Sequence, residues 1–133
     1  GVVTGALASN YQASRIQKIC DELDLKCLNP LWGMDQVQLL NELLDVGFET
    51  LIVGVFGYPL DEKWLGKKLN HALIEDLKKY SEKYQINPAG EGGEIETFVL
   101  DGPTFFREVV VEESEKEYEN HAGVFLIKKA KLV

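Results

Sequence analysis

The fold depends on an unbroken run in the middle of the chain, Leu51-Ile52-Val53-Gly54-Val55-Phe56. A strand that is apolar on both faces is typical of a parallel sheet, because helices cover both sides of such a sheet. We therefore expect residues 48–56 to form a buried strand that belongs to a parallel sheet.

Upstream of this run, strand and helix patterns alternate. We expect a short strand over residues 1–7, a helix capped by Ser9, an apolar segment over residues 25–31 and a second helix capped by Asp35. Strands that alternate with helices form βαβ units. The pattern therefore predicts an α/β fold for residues 1–59.

Downstream of the run, the pattern changes. Residues 70–84 predict the longest helix of the chain. Three strands are expected after it, at residues 97–100, 105–111 and 123–132. The acidic run 112–119 is expected to separate the last two. Because strands in succession after an α/β half indicate a second unit, we place a smaller α+β domain at residues 60–133.

Composition narrows the class of protein. The length of 133 residues corresponds to about one domain. The net charge of −8 disfavours non-specific binding to nucleic acid or to an anionic membrane. No apolar run approaches the roughly 20 residues of a membrane span. The two cysteines, Cys20 and Cys27, lack zinc-ligand spacing and indicate free thiols in a reducing, cytoplasmic compartment.

A first group of candidate binding residues follows the first strand: Gly5-Ala6-Leu7-Ala8-Ser9-Asn10-Tyr11-Gln12, with Arg15 one turn later. Ligands of open α/β folds bind where strands end, and a helix N-terminus attracts anions. Gly5 lets the backbone approach a ligand, and Arg15 adds a positive charge. A well-capped helix after a tight turn explains the same residues, so both interpretations stay open.

A second group is Gly90-Glu91-Gly92-Gly93-Glu94-Ile95-Glu96-Thr97, the glycine–glutamate segment. If the strand begins near Glu94, the side chains of Glu94 and Glu96 point to one face. Like charges held together need a cation, a metal or a shared proton, and glycines leave room for a ligand or another backbone. The segment predicts a site for a cationic or hydrogen-bond-donating group, with an acidic surface loop as the alternative.

These segments resemble the diphthine–ammonia ligase family, a branch of the N-type ATP pyrophosphatases with a PP-loop (HUP-like) nucleotide-binding domain. The matching residues are 5–12 with Arg15, Leu31-Trp32, Asp35-Gln36, Leu65-Gly66-Lys67, the glycine–glutamate segment and Leu100-Asp101-Gly102-Pro103. The sequence departs from the family pattern at Ile95, where Tyr is frequent, and at Asn10, where Asp is frequent. The missing acid at position 10 weakens any metal-binding role there.

The resemblance implies the last step of diphthamide formation on elongation factor 2. ATP, with Mg²⁺, would adenylate the carboxylate of diphthine, and ammonia would then displace AMP to give the amide. The implied nucleotide-binding residues are Gly5, Ala6, Ser9, Tyr11, Gln12 and Arg15. The implied substrate-binding residues are Gly90, Glu91, Gly92, Gly93, Glu94, Glu96 and Thr97. No catalytic residue or metal ligand is assigned within the chain.

The resemblance also implies a phosphate-binding PP-loop upstream of Gly1. Residues 1–59 are then expected to be the back part of the nucleotide-binding domain, and residues 60–133 the substrate-binding domain. Because the PP-loop would hold the phosphates where charge develops, this chain alone is expected to have no ligase activity.

Two other functions stay open at this point. One is another N-type ATP pyrophosphatase that acts on tRNA, which the net charge of −8 disfavours. The other is a non-catalytic module that binds a basic protein through its acidic face. The sequence does not fix the oligomeric state, so a homodimer is open as well.

Overall fold

The computed structural model describes all residues, 1–133, and its contacts divide the chain into two compact units, residues 1–36 and 37–133. The elements, in chain order, are β1 (Val2–Val3), α1 (Asn10–Glu22), β2 (Cys27–Leu28), α2 (Gln36–Asp45), β3 (Glu49–Phe56), a 3₁₀ turn (Glu62–Trp64), α3 (His71–Tyr84), β4 (Ile95–Asp101), β5 (Val109–Glu119) and β6 (Ala122–Leu132).

The first unit is a small βαβ arrangement. β1 pairs in parallel with β2, and α1 connects the two strands. Ser9 caps α1, because its hydroxyl oxygen accepts a hydrogen bond from the backbone N–H of Gln12 at 3.3 Å. Cys20, on the apolar side of α1, is buried. The predicted strand–helix–strand order and the predicted cap are confirmed.

The second unit contains a four-stranded sheet in the order β4-β3-β6-β5. The mixed α/β class is confirmed, but the placement of residues 48–56 in a parallel sheet is wrong. β3 pairs antiparallel with both β4 and β6. It is apolar on both faces because Ile52 and Val55 enter the helical core, while Leu51 on the opposite face is also buried. An unbroken apolar run indicates that both faces of the strand are buried. A central strand of an antiparallel sheet can also be buried on both faces.

Helices, strands and the loops between them all contribute to the core of the second unit. Asn70 caps α3 by accepting a hydrogen bond from the backbone N–H of Leu73 at 3.0 Å. The core side chains are Leu40, Ile52, Val55, Leu60, Trp64, Leu65, Leu69, Leu73, Ile74, Leu77, Ile86 and Ile95. The apolar face predicted for residues 70–84 is therefore the face that packs into the core. No helix of the structure is both long enough and apolar enough to cross a bilayer.

A long hairpin of β5 and β6 ends the chain. The acidic run 112–119 lies inside β5, so its assignment to a segment between strands is wrong. Three lysines of β6 neutralise glutamates of β5 across the hairpin, with N···O distances of 3.1, 3.0 and 2.9 Å: Lys128–Glu115, Lys129–Glu112 and Lys131–Glu112. These opposite-charge pairs allow a strand with five glutamates to form.

The boundary between the two compact units, after residue 36, differs from the functional boundary that the sequence predicts after residue 59. Residues 37–59 lie within the second unit, where β3 is a central strand of the sheet. The division at residues 59 and 60, between a nucleotide-binding part and a substrate-binding part, concerns function and stays a prediction.

Candidate functional site

A cavity of about 200 Å³ lies in the second unit, beside the glycine–glutamate segment. Its walls are mainly aliphatic side chains from α2, the sheet and the segment before α3: Leu39, Leu40, Leu43, Ile52, Leu69 and Val99. Phe48 adds an aromatic ring. The polar residues that line the cavity are Thr50, Glu91 and Thr97. An apolar cavity with a few polar groups is the usual form of a small-ligand site.

Strand pairing brings two of these polar residues together. In the β3–β4 ladder, Thr50 lies opposite Val99 and Thr97 lies opposite Ile52. The two threonines are therefore diagonal neighbours on one face of the sheet. Because side chains alternate along a strand, Glu96 lies on the opposite face from Thr97. The sheet thus presents two hydroxyl groups, and not the Glu96 carboxylate, to the cavity.

Thr50 is the buried polar residue of this site. It is 7% exposed and lines the cavity. The sequence interpretation missed Thr50; the signal that could have found it is a hydroxyl residue directly before the apolar run 51–56.

The glycines shape the backbone of the loop that forms one side of the cavity. Gly90 has φ of +76°, and a Cβ atom there would collide with the carbonyl oxygen of Ile95. Gly93 has φ of +83°, and its N–H donates to the carbonyl oxygen of Gly90 at 2.8 Å. Glycine is required at both positions by the turn, and at Gly90 also by the approach of another backbone segment.

Glu94 holds this loop together. Its Oε1 accepts hydrogen bonds from the backbone N–H of Asn87 at 3.2 Å and from Asn87 Nδ2 at 2.9 Å. Burial raises the pKa of Glu94, but the hydrogen bonds from the Asn87 side chain and from nearby backbone N–H groups outweigh it, so the pKa is lowered. Its Oε2 is buried without a hydrogen-bond partner. The carboxylate is therefore charged and already bound to its own loop.

The three glutamates of the segment do not converge. Glu91 lines the cavity, Glu94 binds Asn87, and Glu96 is exposed beside Gly54. β4 begins at Ile95, so strand alternation does not extend back to Glu94. No group of three acidic, histidine or cysteine side chains lies close enough together to bind a metal ion. The predicted role of the segment in substrate binding stays a prediction, with Glu91 and Thr97 as the members that reach the cavity.

The other candidate residues lie in the first unit and have local partners. The hydroxyl of Ser9 accepts from the N–H of Gln12, and the guanidinium of Arg15 lies 5.1 Å from the centre of the Tyr11 ring and donates to the Tyr11 hydroxyl. Ala6 is buried. An exposed ring and a guanidinium are chemically suited to one edge of a nucleotide site. Nucleotide binding by these residues stays a prediction.

Comparison with known proteins identifies relatives of the chain. Residues 35–133 match a family model described as the diphthamide synthase C-terminal domain. The diphthine–ammonia ligase of Schizosaccharomyces pombe is 40% identical over 122 residues, which is 92% of this chain and 20% of that protein.

Vertebrate relatives have a similar identity to the chain. The diphthine–ammonia ligases of Danio rerio and Homo sapiens are each 39% identical over 116 residues, which is 86% of this chain, and 45% and 43% of those proteins. The chain therefore spans less than half the length of these curated relatives.

Proposed function

Because the chain belongs to the family of diphthamide synthase C-terminal domains, we propose that it is part of a diphthine–ammonia ligase. The observation that carries the proposal is 40% identity to a curated ligase over 92% of the chain, so the similarity extends through both units. This similarity favours the ligase over a tRNA-modifying enzyme and over a non-catalytic acidic module.

The proposed reaction joins ammonia to the carboxylate of diphthine on elongation factor 2, with conversion of ATP to AMP and pyrophosphate. ATP supplies the leaving group that makes the carboxylate reactive toward ammonia. The residues of this chain bind and orient the two substrates. The free thiols of Cys20 and Cys27 fit the reducing environment of the cytoplasm, where elongation factor 2 acts.

In the second unit, the residues of the glycine–glutamate segment have different roles in substrate binding. Glu91 and Thr97 contact the diphthine side chain at the cavity. Gly90, Gly92, Gly93 and Glu94 hold the loop in the shape that brings Glu91 there. Glu96, exposed on the other face of β4, contacts the surrounding surface of the protein substrate.

In the first unit, the residues form one edge of the nucleotide site. Tyr11 and Arg15 contact ATP, and Ser9 and Gln12 fix the start of α1 behind them. Gly5 and Ala6 bring the backbone close to the nucleotide. The triphosphate and its Mg²⁺ are bound by a PP-loop of the longer ligase.

The test uses the full-length ligase with diphthine-bearing elongation factor 2, ATP and ammonium, with diphthamide measured by mass spectrometry and AMP by chromatography. The full-length protein should form both products, and the 133-residue chain should form neither. Glu91→Gln should lower the rate about tenfold or more, because it removes a charged contact to the substrate.

Glu82→Gln is the matched control, since Glu82 is exposed on α3 and does not line the cavity. Failure of the full-length protein to form diphthamide would overturn the proposal. Release of AMP by the 133-residue chain alone would contradict the need for the PP-loop.

A further inference from the structure

Residues 4–7, which follow β1, are held at both ends by β2 and the turn after it. At one end, the backbone N–H of Thr4 donates to the carbonyl oxygen of Leu28 at 2.9 Å, which extends the pairing of β1 with β2. At the other end, the carbonyl oxygen of Leu7 accepts from the N–H of Gly33 at 2.9 Å, and the Leu7 side chain is 1% exposed. The place of the residues between Thr4 and Leu7 is therefore set from the β2 side.

Asn29 holds the same stretch through its side chain. Its Oδ1 accepts a hydrogen bond from the hydroxyl of Thr4, and Thr4 Oγ1 accepts one from the backbone N–H of Ala6 at 3.2 Å. The thiol of Cys27 donates to the same Asn29 oxygen at 3.9 Å, and an amide oxygen has two lone pairs for two such donors. Asn29 therefore fixes the Thr4 hydroxyl, and the Thr4 hydroxyl fixes the backbone on the far side of Gly5.

Gly5 is an exposed residue of this stretch, and neither packing nor backbone conformation requires a glycine there. A Cβ atom at Gly5 would meet no atom within 4 Å, and the φ of Gly5 lies outside the left-handed region. A glycine at such a position lowers stability, because it adds conformational entropy to the unfolded chain. The missing side chain therefore indicates that a ligand approaches the backbone at Gly5.

We propose that Asn29 is a positioning residue for the nucleotide and that it acts through Thr4. With both hydrogen bonds in place, the backbone at Gly5 meets ATP in one conformation, so that binding does not have to order the loop. The inference rests on the proposed function, which places ATP beside Gly5 and Ala6. Asn29 and Thr4 lie outside the residues that the sequence assigns to nucleotide binding.

The first test separates ATP binding from turnover in the full-length ligase. Asn29→Leu removes the acceptor at similar size and should raise the KM for ATP about five- to tenfold. The kcat and the KM for diphthine-bearing elongation factor 2 should stay within about twofold of the parent ligase. Asn29→Asp keeps an oxygen that accepts from Thr4 and should have the parent's KM for ATP. Asn29→Ala removes the acceptor without adding an apolar group and should match Asn29→Leu, also if Asn29→Leu folds poorly.

A double-mutant cycle tests whether Asn29 acts through Thr4. Thr4→Val should raise the KM for ATP at least as much as Asn29→Leu does, and Thr4→Ser, which keeps the hydroxyl, should not raise it. Because both substitutions break the same hydrogen bond, the double variant should match Thr4→Val alone. Effects that multiply in the double variant would overturn the inference.

Gly5→Ala tests the approach of the ligand. The new Cβ atom enters open space, so the free energy of unfolding should not fall. The affinity of the full-length ligase for ATP, measured by isothermal titration calorimetry, should fall about tenfold or more, because the methyl group occupies the place of the ligand. An ATP affinity equal to that of the parent ligase would overturn the inference.

Gln17→Leu on α1 is the matched control. It also replaces an amide side chain of the first unit and breaks a hydrogen bond, from Gln17 Nε2 to Asp21, and it should change neither the KM nor the affinity for ATP. A ligase that forms diphthamide with an unchanged KM for ATP in Asn29→Leu keeps the proposed function and rejects the inference. ATP binding that depends on Asn29 in a protein that forms no diphthamide rejects only the proposed function.

Discussion

Residues 5–15 and residues 90–97 both combine glycine with polar side chains, yet the structure uses them differently. In the first segment Ser9 caps a helix and Arg15 lies on the ring of Tyr11. In the second segment Glu94 is likewise bound locally, but Glu91 lines a cavity. Capping and loop-forming residues therefore look like binding residues in a sequence. A cavity built from distant elements distinguishes the second segment.

The largest effect is expected at Gly90. In Gly90→Ala the positive φ is strained, and the new Cβ collides with the backbone of Ile95, which cannot move away. The substitution should destabilise the chain by more than about 2 kcal/mol in urea denaturation. Gly93→Ala has a similar positive φ but open space around its Cβ, so it should cost about 1 kcal/mol. Equal losses in the two variants would contradict the close backbone approach at Gly90.

The next effect is expected at Glu94. Glu94→Gln weakens two hydrogen bonds to Asn87 and should destabilise the chain by about 1–2 kcal/mol. In the full-length ligase it should lower amide formation and leave ATP binding nearly unchanged. Glu96→Gln, at an exposed carboxylate on the other face, should change stability by less than about 0.5 kcal/mol. Unchanged turnover of Glu94→Gln would show that the loop does not position the substrate.

The pH dependence of stability, compared between the parent chain and Glu94→Gln, tests whether Glu94 is charged. Its pKa in the folded chain is below the ordinary value of 4.5. Its contribution to stability is therefore present above about pH 4.5 and is lost as pH falls through the folded pKa. The stability difference between the parent chain and Glu94→Gln should shrink below that pH. A difference that persists to about pH 2 would assign the effect to packing instead.

The smallest effect is expected in the first unit, where Ser9 and Arg15 can be separated. Ser9→Ala removes the helix cap and should lower the stability of the chain by about 1 kcal/mol. Arg15→Gln should change stability by less than about 0.5 kcal/mol and weaken ATP binding by the full-length ligase. Weaker ATP binding by Ser9→Ala at unchanged stability would instead make Ser9 a nucleotide contact.

Features of the fold that depend on neighbouring residues could be predicted from the sequence. The caps Ser9 and Asn70 act on N–H groups within the next helical turn, so helix starts are encoded locally. The sequence pattern could not identify the strands that pair with β3, because β4 and β6 follow much later in the chain. The sequence pattern places the run 112–119 between strands for the same reason, since the lysines that pair with Glu112 and Glu115 lie on β6.

In the candidate site, too, only the residues that are close together in the sequence could be predicted. Glu91 and Thr97 belong to one short segment, and its clustered glycines and glutamates predicted a site there. Thr50 and Phe48 join them only through the β3–β4 register and the packing of α2. The sequence also could not show that Glu94 is bound to Asn87, because a glutamate is written the same way in a sequence whether its carboxylate is buried or exposed.

The paired charges of the terminal hairpin have a consequence for association between copies of the chain. β5 is the last strand of the sheet, so one of its edges has unpaired backbone groups that another strand could join, the usual start of aggregation. Two of its five glutamates, Glu117 and Glu119, have no lysine partner across the hairpin and bring like charges together when two such edges meet. A homodimer through this edge is therefore disfavoured at neutral pH. Acidification removes the repulsion, and ordered aggregates should then begin at β5.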